Sequence, residues 1–396
     1  MSSGEIRAAD RSEGGQTFLE EIFRPLQRAE QRRWARTYLR GLLHVTGRKT
    51  PRRMAQAEAL PPAAARGLHQ FINASPWDWE PVRRRIALRV AASTTPYAWT
   101  VAELIIPKRG EHSVGVHRRL DPDTGLTVNC QRAVGLFLAA GSHCFPVDWS
   151  LVLDETWGRN RQHSLRARAP EAETARPVGD HVFDLASGVA AQPPLPNVPW
   201  VLALTRCDDA NGVLAGLARQ RLDIVCEVEP GQVVFSGDRF PTVITVGELM
   251  EGRYARQQQA ITRQAADGAT IGIPINTYAG TVRLSRRSIG RDEVRYRILQ
   301  RPANGGRLPA RYWITSLTDW PVEGIMALVR SRAAVRTAVA ELQEHFGVLD
   351  FEGRSFPGWH HHMTMASAAY AFRHLPDRPS LAPLAPAPAA TAEAAS

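Results

Sequence analysis

The sequence predicts a mixed α/β fold in which an all-helical N-terminal region precedes a mixed-sheet domain interrupted by a β-rich insertion. Three observations lead there. Apolar residues recur at helical spacing from Phe18 to about Val90. At Trp99 the period shifts to β-rich runs, which then give way to strand and helix alternation. Residues from about Pro230 to Arg311 are rich in Arg, Gly, Thr and Val and break that alternation.

Taken in order, residues 1–15 are small and polar and read as disordered. In FLEEIFRPLQRAEQRRWARTYLRGLL, Arg28, Arg32, Arg36 and Arg40 fall four residues apart and share a helix face, while Leu26, Tyr38, Leu39 and Leu42 suit the buried side. Such a stripe is either a solvated face or a phosphate-contacting one. Leu60-Pro61-Pro62 then separates two short helical patterns, compatible with a helix-turn-helix or an ordinary helical hairpin. WTVAELII, LTVNCQRAVGLFLA and HCFPVDWSLVL read as an antiparallel meander. A helix follows around VGDHVFDLASGVAA, then a buried strand (VPWVLALT), a helix (DDANGVLAGLARQR) and a strand (LDIVCEVE). Within the insertion, GELMEGRYARQQQAITRQAA reads as a helix. RYWITSL returns to strand, VEGIMALVRSRAAVRTAVAELQEHFG reads as one long helix, and a last helix covers about Trp359 to His374. The predicted organisation is a helical region over 16–95, a sheet domain over 96–230 and 311–375, an insertion over 231–310, and a Pro/Ala tail over 376–396.

Composition narrows the function classes. No run of eighteen apolar residues exists, so a membrane span is not expected. The first residues lack the apolar core of a signal peptide, which points to the cytoplasm. Cys130, Cys144, Cys207 and Cys226 have no CxxC spacing and read as free thiols. The 49 Lys and Arg against 39 Asp and Glu leave a net charge of +10, which favours a polyanionic partner but also fits an arginine-rich codon bias. There is no phosphate-binding GxxxxGK[ST] loop and no GxSxG nucleophile motif. His360-His361-His362 is a poor metal site, because consecutive helical residues point about 100° apart.

Several long motifs nevertheless resemble one family. FEGRSFPGWHHHMTMASAAYAF is similar to the C-terminal signature of the insertion-sequence-701 group of DDE transposases. PKRGEHSVGV resembles the segment that follows the group's first catalytic strand. FINASPWDWEPVRRRIALRV, NCQRAVGLFLA, VDWSLVLDETW and ARYWITSL resemble further segments, in order, over about residues 18 to 374. The resemblance implies an RNase H-like fold with a β-rich insertion. It also implies three carboxylates that hold two divalent metals, usually Mg²⁺, for phosphodiester chemistry. Hard cations of that kind need charged oxygen ligands.

Aligned on those motifs, the three acid positions carry Ala102, Leu204 and Arg336. Glu103, Asp208 or Asp209, and Glu341 are the candidate substitutes. Strand alternation turns Glu103 away from the Ala102 face, and Glu341 sits roughly 140° around the helix from Arg336. The expectation is therefore a catalytically inactive relative that binds DNA, with no intact catalytic residue and no bound metal. Phosphate contacts are expected from Arg28, Arg32, Arg36, Arg40, Arg83, Arg84, Lys108 and Arg109. The alternatives are an active Mg²⁺-dependent nuclease built on the displaced acids and a protein-interaction remnant without DNA affinity. Family analogy also implies a homodimer.

Overall fold

The computed structural model describes residues 17–376 except 121–124, 156, 158–160, 172, 192–193, 206, 208, 238–239, 253–255, 265–269, 285–293 and 305–307. The leading residues 1–16, the tail 377–396 and Asp208 thus lie outside the described residues. No helix among the described residues is long and apolar enough to cross a membrane.

Four helices open the chain: α1 (Ala29–His44), α2 (Pro51–Ala57), α3 (Ala63–Asn73) and α4 (Glu80–Ser93). Local chemistry sets their limits. Thr50 caps α2 by accepting from the Arg53 amide, with Pro51 in the first turn, where its missing N–H costs nothing. Pro61 and Pro62 separate α2 from α3. Ala64, Leu68, Phe71 and Ile72 form the buried stripe of α3. Leu26, Tyr38, Leu39 and Leu42 are all buried.

The meander is β1 (Pro96–Pro107), β3 (Thr127–Ala140) and β4 (His143–Val152), with a short β2 (His117–Leu120) added beside the start of β3. Helices α5 (Arg161–Ala167) and α6 (Val178–Ala190) lead to β5 (Trp200–Ala203), α7 (Ala210–Arg219) and β6 (Ile224–Val228). The next stretch holds β7 (Val233–Ser236), β8 (Thr242–Thr245), α8 (Val246–Glu251), β9 (Arg256–Gln264), β10 (Thr270–Tyr278), β11 (Val282–Arg283) and β12 (Arg297–Arg301). The chain closes with β13 (Arg311–Thr315), α9 (Val322–Val329), α10 (Ser331–His345) and α11 (Phe356–His374).

One large mixed sheet runs β2–β3–β1–β5–β6–β13–β12–β10–β9, and β4 pairs with the other half of β3. β1, β5 and β6 are mutually parallel, and β3 and β13 run antiparallel to their neighbours in that trio. A separate three-stranded sheet joins β11, β7 and β8.

Two helix expectations are corrected. The helix expected over GELMEGRYARQQQAITRQAA ends at Glu251, and Arg256–Gln264 is β9, paired along its length with β10. Thr245 and Glu248 close α8 as a reciprocal capping box, but the polar run that follows has no apolar helical stripe, and strand pairing wins. The long helix from Val322 is two helices, because at Arg330 the ladder tightens to i→i−3 bonds: Arg330 N to Ala327 O and Ala333 N to Arg330 O.

Helix α11 is the inner support of the helical layer. It is buried from Gly358 through Phe372, with no solvent stripe, as expected of a helix enclosed on all sides. Helices α1, α3 and α4 surround it, with β4 alongside. Ser355 caps it by accepting from the Gly358 amide, so it starts at Phe356, three residues before the expected Trp359.

Candidate functional site

Strand register defines which side chains share the site. Paired residues in adjacent strands point to the same face, and alternate residues to opposite faces. Thr100 pairs with Val201, so the parallel register brings Ala102 alongside Ala203, and Ala203 pairs with Glu227. Glu227 in turn pairs with Trp313 on β13. Ala102, Ala203 and Glu227 therefore project together. Helix α10 lies across this face, where Cys144 (in the same row as Ala139 and Ala98) reaches Ser331 O at 3.7 Å. Arg332 anchors the helix to β1 by donating to Val101 O at 2.7 Å.

The centre so formed is basic. Glu227 is its carboxylate, and it is clasped by Nε and Nη2 of Arg311. That pair is mostly buried, and the Arg311 guanidinium also lies 5.3 Å from the Trp313 ring centroid. Burial holds the Arg332 guanidinium below its ordinary pKa, and the charges of Arg336 and Arg311 push the same way while Glu227 opposes them. Arg301, paired with Arg311 across β12 and β13, is also held low, by burial and then by Arg311. Leu204 is buried at the end of β5, and Arg336 is exposed on α10.

The expected acids go elsewhere. Glu103 pairs with Val134 and lies on the opposite face from Ala102. There it accepts from Arg119 at 2.9 Å and from Arg132 at 2.5 and 3.1 Å. Burial works against its ionisation, but Arg132 and then Arg119 outweigh it and hold the carboxyl below its ordinary value. Asp209 caps α7 by accepting from the Gly212 amide at 2.9 Å. Glu341 points to α11, 3.1 Å from His374 Nε2. Among the described residues no three His, Cys, Asp or Glu side chains are grouped so as to hold a metal. Ala102 and Ala203, beside one carboxylate already clasped by arginine, do not fit a divalent cation, and Leu204, one residue on, turns to the opposite face.

The expected phosphate-contacting residues divide in two. Arg28, Arg84 and Arg109 are exposed. Arg36 is half-buried with Glu20 at 3.8 Å, and Arg32 donates to Leu26 O and Gln27 O at 2.5 and 3.0 Å. Arg40, from the stripe read from spacing, and Arg83, expected as a separate phosphate contact, are both buried and committed to internal partners. Arg40 Nε bonds Glu58 at 2.5 Å, and Glu58 also meets His44 at 2.7 Å. Arg83 donates to Asp148, Trp149 O, Thr364 and both Nδ1 and O of His360, at 2.7–3.0 Å. Lys108 donates to Phe351 O at 2.7 Å, and burial pushes its pKa down to about 8.

The motif residues form scaffolding. Val114 N bonds Arg354 O and Gln131 Nε2 bonds Val114 O, so PKRGEHSVGV is pinned to both NCQ and FEGRS. The three histidines radiate from α11 to three partners. His360 Nδ1 must accept from Arg83, since guanidinium only donates. His361 lies 2.8 Å from both Ile72 O and Trp77 O and stacks on Trp77. His362 Nε2 donates to Gly347 O, which leaves Nδ1 to accept from Tyr38 Oη at 2.9 Å.

Glu227, Arg311 and Arg332 are residues that sequence reasoning missed. Alternation within LDIVCEVE and RYWIT gives each strand two faces, and only the pairing of β5, β6 and β13 brings Glu227 and Arg311 to the centre.

A family model described as "DDE superfamily endonuclease" matches residues 21–274. No curated protein matches the chain.

Proposed function

The chain belongs to the DDE superfamily endonuclease family, and we propose that within it this protein is a DNA-binding, transposase-like member that has lost phosphodiester chemistry. The observation that carries this reading is the centre on α10, β1, β5 and β6. Arg311 clasps the one carboxylate there and Arg332 lies within its field, with Arg336 beside Arg332, where a two-metal enzyme needs several free carboxylates. The strand order β4–β3–β1–β5–β6, with β3 antiparallel inside it, supports an RNase H-like core. The motif-to-motif hydrogen bonds support placement in the insertion-sequence-701 group.

DNA binding rests on the family and on the net charge of +10. The exposed Arg28, Arg84 and Arg109 are the contacts we assign to phosphate, together with Arg32 and Arg36 on the same helix. Such contacts fix position on a duplex without reading its sequence. A homodimer follows by analogy with paired transposase complexes.

Supercoiled plasmid incubated with the protein and Mg²⁺ or Mn²⁺ tests the reading. The expected outcome is no nicked product and no metal-dependent rise in melting temperature. Metal-dependent nicking that disappears in Glu227→Ala or Asp208→Ala would overturn it. Fluorescence anisotropy with a labelled duplex tests the other half: affinity is expected to fall steeply as salt rises. Absence of binding at low salt would remove DNA as the partner.

A further inference from the structure

The arginines at the centre outnumber the acid that neutralises them. Arg311 and Glu227 act on both Arg301 and Arg332, and Arg336 acts on Arg332, so the carboxylate in this group is Glu227. Arg311 is satisfied by that carboxylate, while Arg336 is exposed and makes no ion pair among the described residues. The Nε–H groups of Arg301 and Arg332 are buried and meet no acceptor among the described residues. Buried guanidinium donors left unpaired are costly, and the arrangement lowers that cost when an anion with several oxygens enters. Arg311, Arg332 and Arg336 come from two elements, β13 and α10, so they converge from different directions.

We infer that this cluster is a phosphate-anion site, in which guanidinium groups take the place that metals hold in active relatives. The ligand class is a phosphate group, supplied either by the backbone of a nucleic acid or as free phosphate. A planar guanidinium offers two parallel N–H donors to such an anion, and it carries its charge at every physiological pH. Arg336 is the entry-side contact, Arg332 the inner one, and Glu227 competes with the anion for Arg311. In its nucleic-acid form the proposal rests on the DNA-binding reading above; the free-phosphate form does not.

Two probes separate those forms. Isothermal titration with inorganic phosphate is expected to give saturable binding, weakened about tenfold in Arg336→Ala, as for the loss of one hydrogen bond to a charged group. Binding should tighten in Glu227→Gln, which releases Arg311. Arg336 is exposed, so its replacement leaves the fold intact and keeps the test valid even if Glu227→Gln folds poorly. In duplex anisotropy, Arg336→Ala is expected to weaken affinity and to lower the salt slope by about one, while Arg28→Ala changes the slope without touching phosphate titration. Phosphate binding that weakens in Arg336→Ala with an unchanged duplex slope supports the site and assigns free phosphate as its ligand. Phosphate binding by a protein that binds no duplex also supports the site and removes only the DNA reading. No phosphate binding, together with a duplex affinity and slope unaltered by Arg336→Ala, overturns the site and leaves DNA binding standing.

Discussion

Arg83 holds Asp148, the Trp149 carbonyl, Thr364 and His360 with one guanidinium, and it is 3% exposed. Replacing it with methionine keeps most of the volume but strands those acceptors. Arg83→Met is expected to cost about 3–5 kcal/mol, the usual consequence of breaking one side of a buried charged network, read as a lower urea midpoint. Arg84→Ala next to it should change stability by only about 0.5 kcal/mol. The inward residue of the run Arg83-Arg84-Arg85 is marked by its neighbours: Arg83 lies three, four and seven residues before Ile86, Ala87 and Val90, on the buried face of α4. Glu103 was also legible: period-two alternation alone turns it from the Ala102 face, and the β1–β3 register agrees. Glu227 was not, since its neighbours on the face come from strands far apart in sequence.

At the scale of elements, α11 carries a pH dependence. Burial pushes His361 and His362 down to about 4, against the pull of their carbonyl partners, while the unfolded chain titrates near the ordinary histidine value. Below about pH 6.5 the unfolded chain takes up protons that the folded one refuses, so stability falls as pH drops toward 4 and is flat above that window. Each histidine contributes at most about 1.4 kcal/mol per pH unit there. Melting temperatures at pH 7 and pH 5 measure it, and His362→Asn should shrink the difference. Element identity was mostly readable from period: the meander, the β5–α7–β6 alternation and the two helices on either side of Pro61-Pro62 all follow from it. The β9 strand was not, because RQQQAITRQ has neither a helical nor a strand-like apolar face, and its pairing with β10 decides it. Ser355→Ala should cost about 1 kcal/mol through loss of the α11 cap.

Across the whole molecule, one hydrophobic cluster runs from Phe18 through the sheet to Leu375. The helices over 29–93 and the sheet are therefore expected to unfold in one transition, with equal calorimetric and van't Hoff enthalpies; two separated transitions would show that the helical region is an independent unit. Period and motif spacing could not reveal this. They mark where elements begin and end, while the sharing of α11 between the helical layer and β4 depends on contacts across most of the chain.

That sharing has a consequence for how the chain is made. Helices α1, α3 and α4 are synthesised before residues 94–355, and their apolar faces wait for α11. At roughly 5–20 residues per second the delay is on the order of tens of seconds, long enough for chaperones to act on the exposed faces. A nascent chain stalled before Phe356 leaves the inward faces of α1, α3 and α4 uncovered and is expected to be cut faster by proteases than one translated through α11.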